Sequence, residues 1–275
     1  MIDYKKNYAM FCKYLKTYIK RDGIDKFIGW LGTTDAAVAP ASTKWHLSEV
    51  GGLIQHSLNV FNRLIGLIQY EYGDFDKCPY SKESIALVAL LHDVSKINFY
   101  ERTSKNVKVY TPDGKQFDEL GRFNWEAQLS YKTRDDSNRF IYATHPENSV
   151  YMLQQFFNLS YEEALAIRWH GGCDVSSDNA NQGRMMAAFQ MSPLALLLHT
   201  ADMMCTCIDE YFAATTSDES EKEESKEHKK EWVTPTIEIA EMSDLSNANE
   251  NCIKEVVDER QSTVEPVGEI EDAPF

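Results

Sequence analysis

The stretch Leu90-Leu-His-Asp-Val-Ser-Lys96 decides how this chain is read. It closes a run, Ser84 to Leu91, in which Ile85, Leu87, Val88, Ala89, Leu90 and Leu91 are too apolar for an exposed helix, so this end of the helix is expected to be buried. A neutral imidazole and a carboxylate side by side, His92 and Asp93, are costly in such a place unless something satisfies them. A bound cation would do so best, although a lone His-Asp pair is more often a hydrogen-bonded pair. Lys96, three and four residues on, is expected to return to the same helical face.

Upstream, Ile2, Tyr8, Phe11, Tyr14, Leu15, Tyr18 and Ile19 recur at helical spacing, and Arg21-Asp-Gly23 reads as a stop. Residues 24–31 form a second, short helix, and 32–43, rich in Ala, Pro, Ser and Thr, a long loop of the kind found near sites. Residues 1–44 are therefore expected to pack as helices on the domain that follows. After Trp45-His46 comes Glu49-Val-Gly-Gly-Leu-Ile-Gln-His56, where two glycines allow close backbone approach. Leu53, Leu58, Val60, Phe61, Leu64, Ile65 and Ile68 then make an apolar stripe, which predicts a helix through His56. A single histidine beside such a stripe is usually a satisfied core residue.

Downstream, the period changes from helical to alternating between about 98 and 142. Val107-Lys-Val-Tyr110 alternates, Thr111-Pro-Asp-Gly114 signals a tight turn, and Phe123, Trp125, Ala127, Leu129 and Tyr131 alternate with polar residues. A hairpin insertion is predicted, lying on the helical body for support. Helices resume after Thr144-His-Pro-Glu147, with Val150, Met152, Leu153, Phe156 and Phe157 as a buried face. Ser160-Tyr-Glu-Glu163 is a capping box for a helix that runs to Trp169-His170 and stops at Gly171-Gly172. Residues 173–184 read as a loop. Ser192-Pro193 opens a helix on which His199 and Asp202 share a face.

Composition bounds the function. The chain has 275 residues, 43% of them hydrophobic, enough for one sizeable core with an appendage. No apolar run reaches the length of a membrane span and no signal-peptide pattern opens the chain, so the expectation is a cytoplasmic protein with no membrane partner. Six scattered cysteines without Cys-x-x-Cys spacing read as reduced thiols. Residues 215–275 hold 18 acidic and 6 basic side chains, a net of −12, against −3 for residues 1–214. That tail has no apolar face and reads as disordered and solubilising, with His228 taking no part in chemistry. The near-neutral body leaves room for a phosphorylated ligand but advertises no groove for a long duplex.

Each of these polar residues has a dull explanation singly; their order is harder to dismiss. His56, His92-Asp93, His145, His170 and Asp202 follow one another along residues 45–212, in the wording Gly51-Gly-Leu-Ile-Gln-His56-Ser, Leu91-His-Asp-Val-Ser-Lys96, Trp169-His-Gly171 and Leu198-His-Thr-Ala-Asp202. This resembles the HD-domain superfamily of metal-dependent phosphohydrolases, most of all the HD domain of bacterial 3′-to-5′ exoribonucleases. Two departures stand out: Ser95 where the signature usually has Gly, and the long hairpin ahead of His145. The resemblance implies an all-α helical bundle in which His56, His92, Asp93 and Asp202 hold one cation. His145 and His170 would hold a second, with Asp93 bridging. Four imidazoles and two carboxylates suit Mn, Fe, Co, Ni or Zn. Lys96 would neutralise charge on a phosphoryl group, and His46, His199, Glu147 and Arg168 would touch substrate or brace ligands. The substrate implied is a nucleotide or short oligonucleotide, cleaved at a phosphoester or phosphoanhydride. The same ligand order also admits a di-iron oxygenase, and a third reading is a nucleotide-binding regulator without catalysis.

Overall fold

The structure, a computed structural model, describes residues 2–173 and 179–210. The described chain is mostly helical, with one small sheet. Its first helices are α1 (Tyr4–Tyr18), α2 (Ile24–Leu31), α3 (Gly52–Tyr72) and α4 (Lys82–Leu91). Beyond the sheet follow α5 (His145–Gln154), α6 (Tyr161–Trp169), α7 (Asn179–Met191) and α8 (Pro193–Met204).

α3 is the axis of the core, packed by α1, α4 and α8 on different sides. Its apolar stripe is accordingly wide: Leu53, Ile54, Leu58, Val60, Phe61, Leu64, Ile65 and Ile68 are all buried. α4 meets α1, α3, α6 and α8, and every residue from Ile85 to Leu91 is buried. A helix enclosed on all sides needs no polar face, which is why its sequence is almost continuously apolar. Truncating Leu87 at its centre would cost about 2–5 kcal/mol.

α4 begins at Ser81, whose hydroxyl accepts from the Ser84 amide, but it does not reach Lys96. It stops at His92, and Val94–Lys96 form a 3-10 turn. The expected return of Lys96 to Asp93 still occurs, by a different route: in a 3-10 turn residues three apart eclipse one another. Lys96 therefore stands over Asp93, with Nζ 2.7 Å from Oδ2.

The insertion is a three-stranded antiparallel sheet of β1 (Tyr100–Tyr110), β2 (Gln116–Asp118) and β3 (Gly121–Thr133), in the order β1-β3-β2. The expectation that it lies on the helical body is not met, since Trp125 and Leu129 are about half exposed, at 50% and 54%. The far end of the sheet has a small cluster of its own instead. β2 caps the turn end of β3, and Phe123 is buried among Tyr110, Trp125 and the Lys108 ammonium, which sits 4.5 Å above its ring. At the other end Arg134 ties the strands down, donating to the Tyr100 carbonyl at 3.0 Å and pairing with Asp35.

A second correction concerns residues 173–184, where a helix begins at Asn179 in place of the expected loop. Asn and Gly are poor helix formers, but Ala188 and Phe189 further along bury into the core and tertiary packing overrides local preference. The expectations for 215–275, for His228 and for Cys252 fall outside the described residues. None of the five described cysteines forms a disulfide. Among the described residues no single helix is long and apolar enough to cross a membrane.

Candidate metal centre

Five elements bring the predicted side chains together: α3 supplies His56, the end of α4 His92 and Asp93, the start of α5 His145, the end of α6 His170, and α8 Asp202. The atoms these residues offer fall into overlapping clusters, His56–His92–Asp93, His92–His170–Asp202 and Asp93–His145–His170. Six residues spread through the sequence thus share one site, buried at His56, His92, Asp93 and His170 and open at His145.

The backbone around them explains the fit. Gly52 opens α3 where any Cβ would lie 2.0 Å from the Leu47 carbonyl, so the 33–51 loop can close over the start of that helix only at a glycine. Gly172, at φ +70°, turns the chain after His170; a Cβ there would meet the His199 ring at 3.0 Å. His199 donates from Nδ1 to the His170 carbonyl at 2.6 Å and stacks on Phe189, so it braces the His170 turn.

Asp93 is the centre of the arrangement. Its Oδ1 lies 3.5 Å from Nε2 of both His145 and His170. Its Oδ2 lies 3.4 Å from Nε2 of His92, 3.7 Å from Nε2 of His56 and 2.7 Å from Lys96. Oδ1 is buried and has no hydrogen-bond partner among the described residues. Burial alone would raise the Asp93 pKa, but Lys96 and the surrounding imidazoles hold it well below the usual carboxylate range. Asp202, 3.1 Å from His56, is lowered in the same way: burial opposes, and the His56 hydrogen bond prevails.

The imidazoles are oriented by their other nitrogens. His92 Nδ1–H donates to the Ala89 carbonyl at 2.9 Å and His170 Nδ1–H to the Ile167 carbonyl at 2.7 Å. A carbonyl oxygen only accepts, so in the neutral rings each Nε2 presents a lone pair to the site. Nε2 of His56 and His92 stand 3.3 Å apart, as do Nε2 of His145 and His170. Two donors each about 2.1 Å from one cation at a tetrahedral angle are about 3.4 Å apart. Paired ring nitrogens at that separation, beside a buried carboxylate oxygen, match the needs of a cation, which would take the place of the proton on His56. These groups could hold a metal ion, and the nitrogen-rich donor set suits a transition metal.

His56 is braced by a residue the sequence did not point to. Glu210 is buried and accepts from His56 Nδ1 at 3.0 Å and from the Asn59 amide at 2.9 Å. Desolvation would lower the His56 pKa, but Asp202 and Glu210 carry it to about 10. Residues Cys205–Asp209 form a π turn. At about 100° per residue, Glu210 would otherwise stand about 80° round from Asp202. One residue absorbed by the wider turn restores both to a common face.

The remaining candidates divide. His46 packs its ring on His56, 4.8 Å between centroids, with Nε2 3.9 Å from Glu210 and neither ring nitrogen hydrogen-bonded. Burial pushes its pKa down to about 4, so the ring is neutral. Glu147 accepts from the Thr144 amide and pairs with Arg168 at 2.7 Å, and Arg168 lies 4.2 Å over Trp169. Arg168, Thr144, His145 and Gly171 line a cavity of about 180 Å³ beside the cage. Ser95 donates to the His145 carbonyl at 2.8 Å and accepts from Ser149.

Fold and site together define a mostly helical protein built round a buried histidine–aspartate cage with a side cavity. No protein-family model, curated protein or solved structure matches this chain.

Proposed function

We propose that this chain is a metal-dependent phosphohydrolase of the HD-domain class, acting on a nucleotide or short oligonucleotide. The observation that carries the reading is the division of Asp93, one oxygen toward His145 and His170, the other toward His56 and His92. His56, His92, Asp93 and Asp202 would hold one divalent transition metal, and Asp93, His145 and His170 a second. When bound, such a pair supplies a nucleophilic water at neutral pH and polarises the phosphoryl oxygens.

The chain's own groups do the rest. Lys96 keeps Asp93 ionised and places a positive charge beside the point where a phosphoryl group would gain negative charge. The carbonyls of Ala89 and Ile167 hold His92 and His170 in the tautomer that leaves Nε2 bare. His145, the most open ligand at 43% side-chain exposure, faces the 180 Å³ cavity, through which a substrate of nucleotide size would approach. Arg168 at the wall of that cavity is the cation available to an anionic group there, in competition with Glu147.

The test is turnover of nucleotides, cyclic dinucleotides and short RNAs by protein loaded in turn with Mn, Fe, Co, Ni and Zn, beside Asp93→Ala. Metal-dependent phosphate or nucleotide release by the parent alone is expected. Equal inactivity of both proteins with every metal would end the proposal.

A further inference from the structure

We propose that Phe140, Tyr151 and Tyr142 form a stacking platform for a nucleobase of the substrate, beside the His145 edge of the cage; this rests on the phosphohydrolase reading above. Tyr142 lies three residues before His145, and Tyr151 six residues after it on α5, about 9 Å along the helix axis. The rings of Phe140 and Tyr151 stack at 5.5 Å with 21° between planes, and those of Tyr142 and Tyr151 at 4.7 Å with 26°.

That geometry is unlike the rest of the molecule. The other pairs of Phe, Tyr and Trp rings among the described residues cross at 38° to 90°, from Phe27–Trp30 to Phe123–Trp125, whereas these two pairs take the offset-stacked arrangement. A near-parallel set is extended by whatever flat ring comes next, and every nucleobase has a π-face. Tyr142 is 64% exposed, so the set is open to an added ring.

The Tyr142 ring is not what fastens this segment. The amides of Tyr142 and Ala143 both donate to Oδ1 of buried Asn148, at 3.1 and 2.8 Å, and fix the backbone by themselves. An aromatic ring left in water on a stretch already secured is more useful to a ligand than to the fold. Tyr142 stands two residues before Thr144 and three before His145, which line the cavity, so a base held on its ring belongs to the same molecule as a phosphate entering there. Trp125 and Leu129 of the sheet, by contrast, have no cage residue within ten positions.

The experiment uses the manganese-loaded full chain and two trinucleotide RNAs, one with 2-aminopurine in the middle position and one abasic there. Stacking quenches 2-aminopurine fluorescence, so binding of the first RNA is read directly, that of the abasic RNA by its competition with the first, and turnover separately. The parent is expected to bind the base-bearing RNA about 5- to 100-fold more tightly than the abasic one. Tyr142→Ala is expected to bring that ratio close to one, and Tyr142→Trp to restore it. A parent ratio of one, or a ratio that survives Tyr142→Ala, overturns the platform. So does binding of a proline-rich peptide with none of the trinucleotide, which assigns the rings to a protein partner. Tyr142-dependent quenching without turnover under any metal leaves the platform standing and removes the hydrolase reading. Turnover that ignores Tyr142 does the reverse.

Discussion

The two halves of the cage are built from the same residue types and are not equivalent. His56 and His92 lie in the packed centre, both essentially inaccessible, and each is held by a second contact, to Glu210 and to the Ala89 carbonyl. His145 and His170 lie at the wall: His170 is buried and braced, while His145 is 43% exposed on the cavity side. On the proposed reading the first half would keep a cation, and the second, more open, would exchange one or share it with a ligand. Burial and outer contacts, more than the number of ligands, would then separate a resident cation from a working one.

The harshest way to break this comparison is to remove the group common to both halves. Asp93→Ala is expected to abolish metal retention at both positions and to lower turnover by about 10³ or more, measured by elemental analysis of the purified protein beside a phosphate-release assay. It also leaves Lys96 unpaired at the cage wall, so a lower melting temperature is expected as well. His145→Ala acts on the open half alone. One of two metal equivalents should be lost, with the other retained and activity down about 10²-fold. Unchanged metal content would confine binding to the inner half.

Much of the cage was legible in the sequence, for a physical reason: a polar residue on or at the end of an apolar helix is conspicuous, and six of them in one order admit few explanations. His56, His92, Asp93, His145, His170 and Asp202 each sit at or beside a predicted helix with a strong apolar face. Glu210 was not legible. It lies just before the acidic tail, and only the π turn at Cys205–Asp209 swings it onto His56. Ser95 read as a departure from a family pattern, and only the structure makes it a contact to His145. The sheet misled in the other direction. Alternating aromatics imply a buried face, yet of Phe123, Trp125, Ala127, Leu129 and Tyr131 only Phe123 and Tyr131 are buried, Phe123 within a small cluster of the sheet's own.

Glu210→Gln probes the braced half more gently. The amide keeps the shape and an acceptor for Nδ1–H but removes the charge, and a loss of about 10- to 100-fold in affinity for the inner cation is expected from titration with a competing chelator. The same variant carries a pH signature in the metal-free protein. His56 has its folded pKa raised from 6.5 to about 10, so its charged form stabilises the fold fully below about pH 6.5. That contribution fades as pH rises toward 10. Denaturant midpoints of the metal-free parent should therefore fall across this window, and those of Glu210→Gln should fall less. An equal slope in both would remove Glu210 from the account of His56.

The smallest effect is expected at Ser95→Gly, which restores the residue usual in the resembling family. The Ser95 amide can still donate to Ser149, but the hydroxyl contact to the His145 carbonyl is lost and the buried Ser149 hydroxyl loses its acceptor. A neutral hydrogen bond is worth about 0.5–1.5 kcal/mol, and added backbone freedom at glycine costs a further 0.5–1 kcal/mol or so. Stability should drop by about 1–2 kcal/mol in urea melts. Because the lost bond holds His145 and none of the inner ligands, affinity for the second cation should weaken several-fold while the first stays as tight as before. Equal weakening of both would mean that the cage is one rigid unit, and the contrast between a braced half and an open half would not survive.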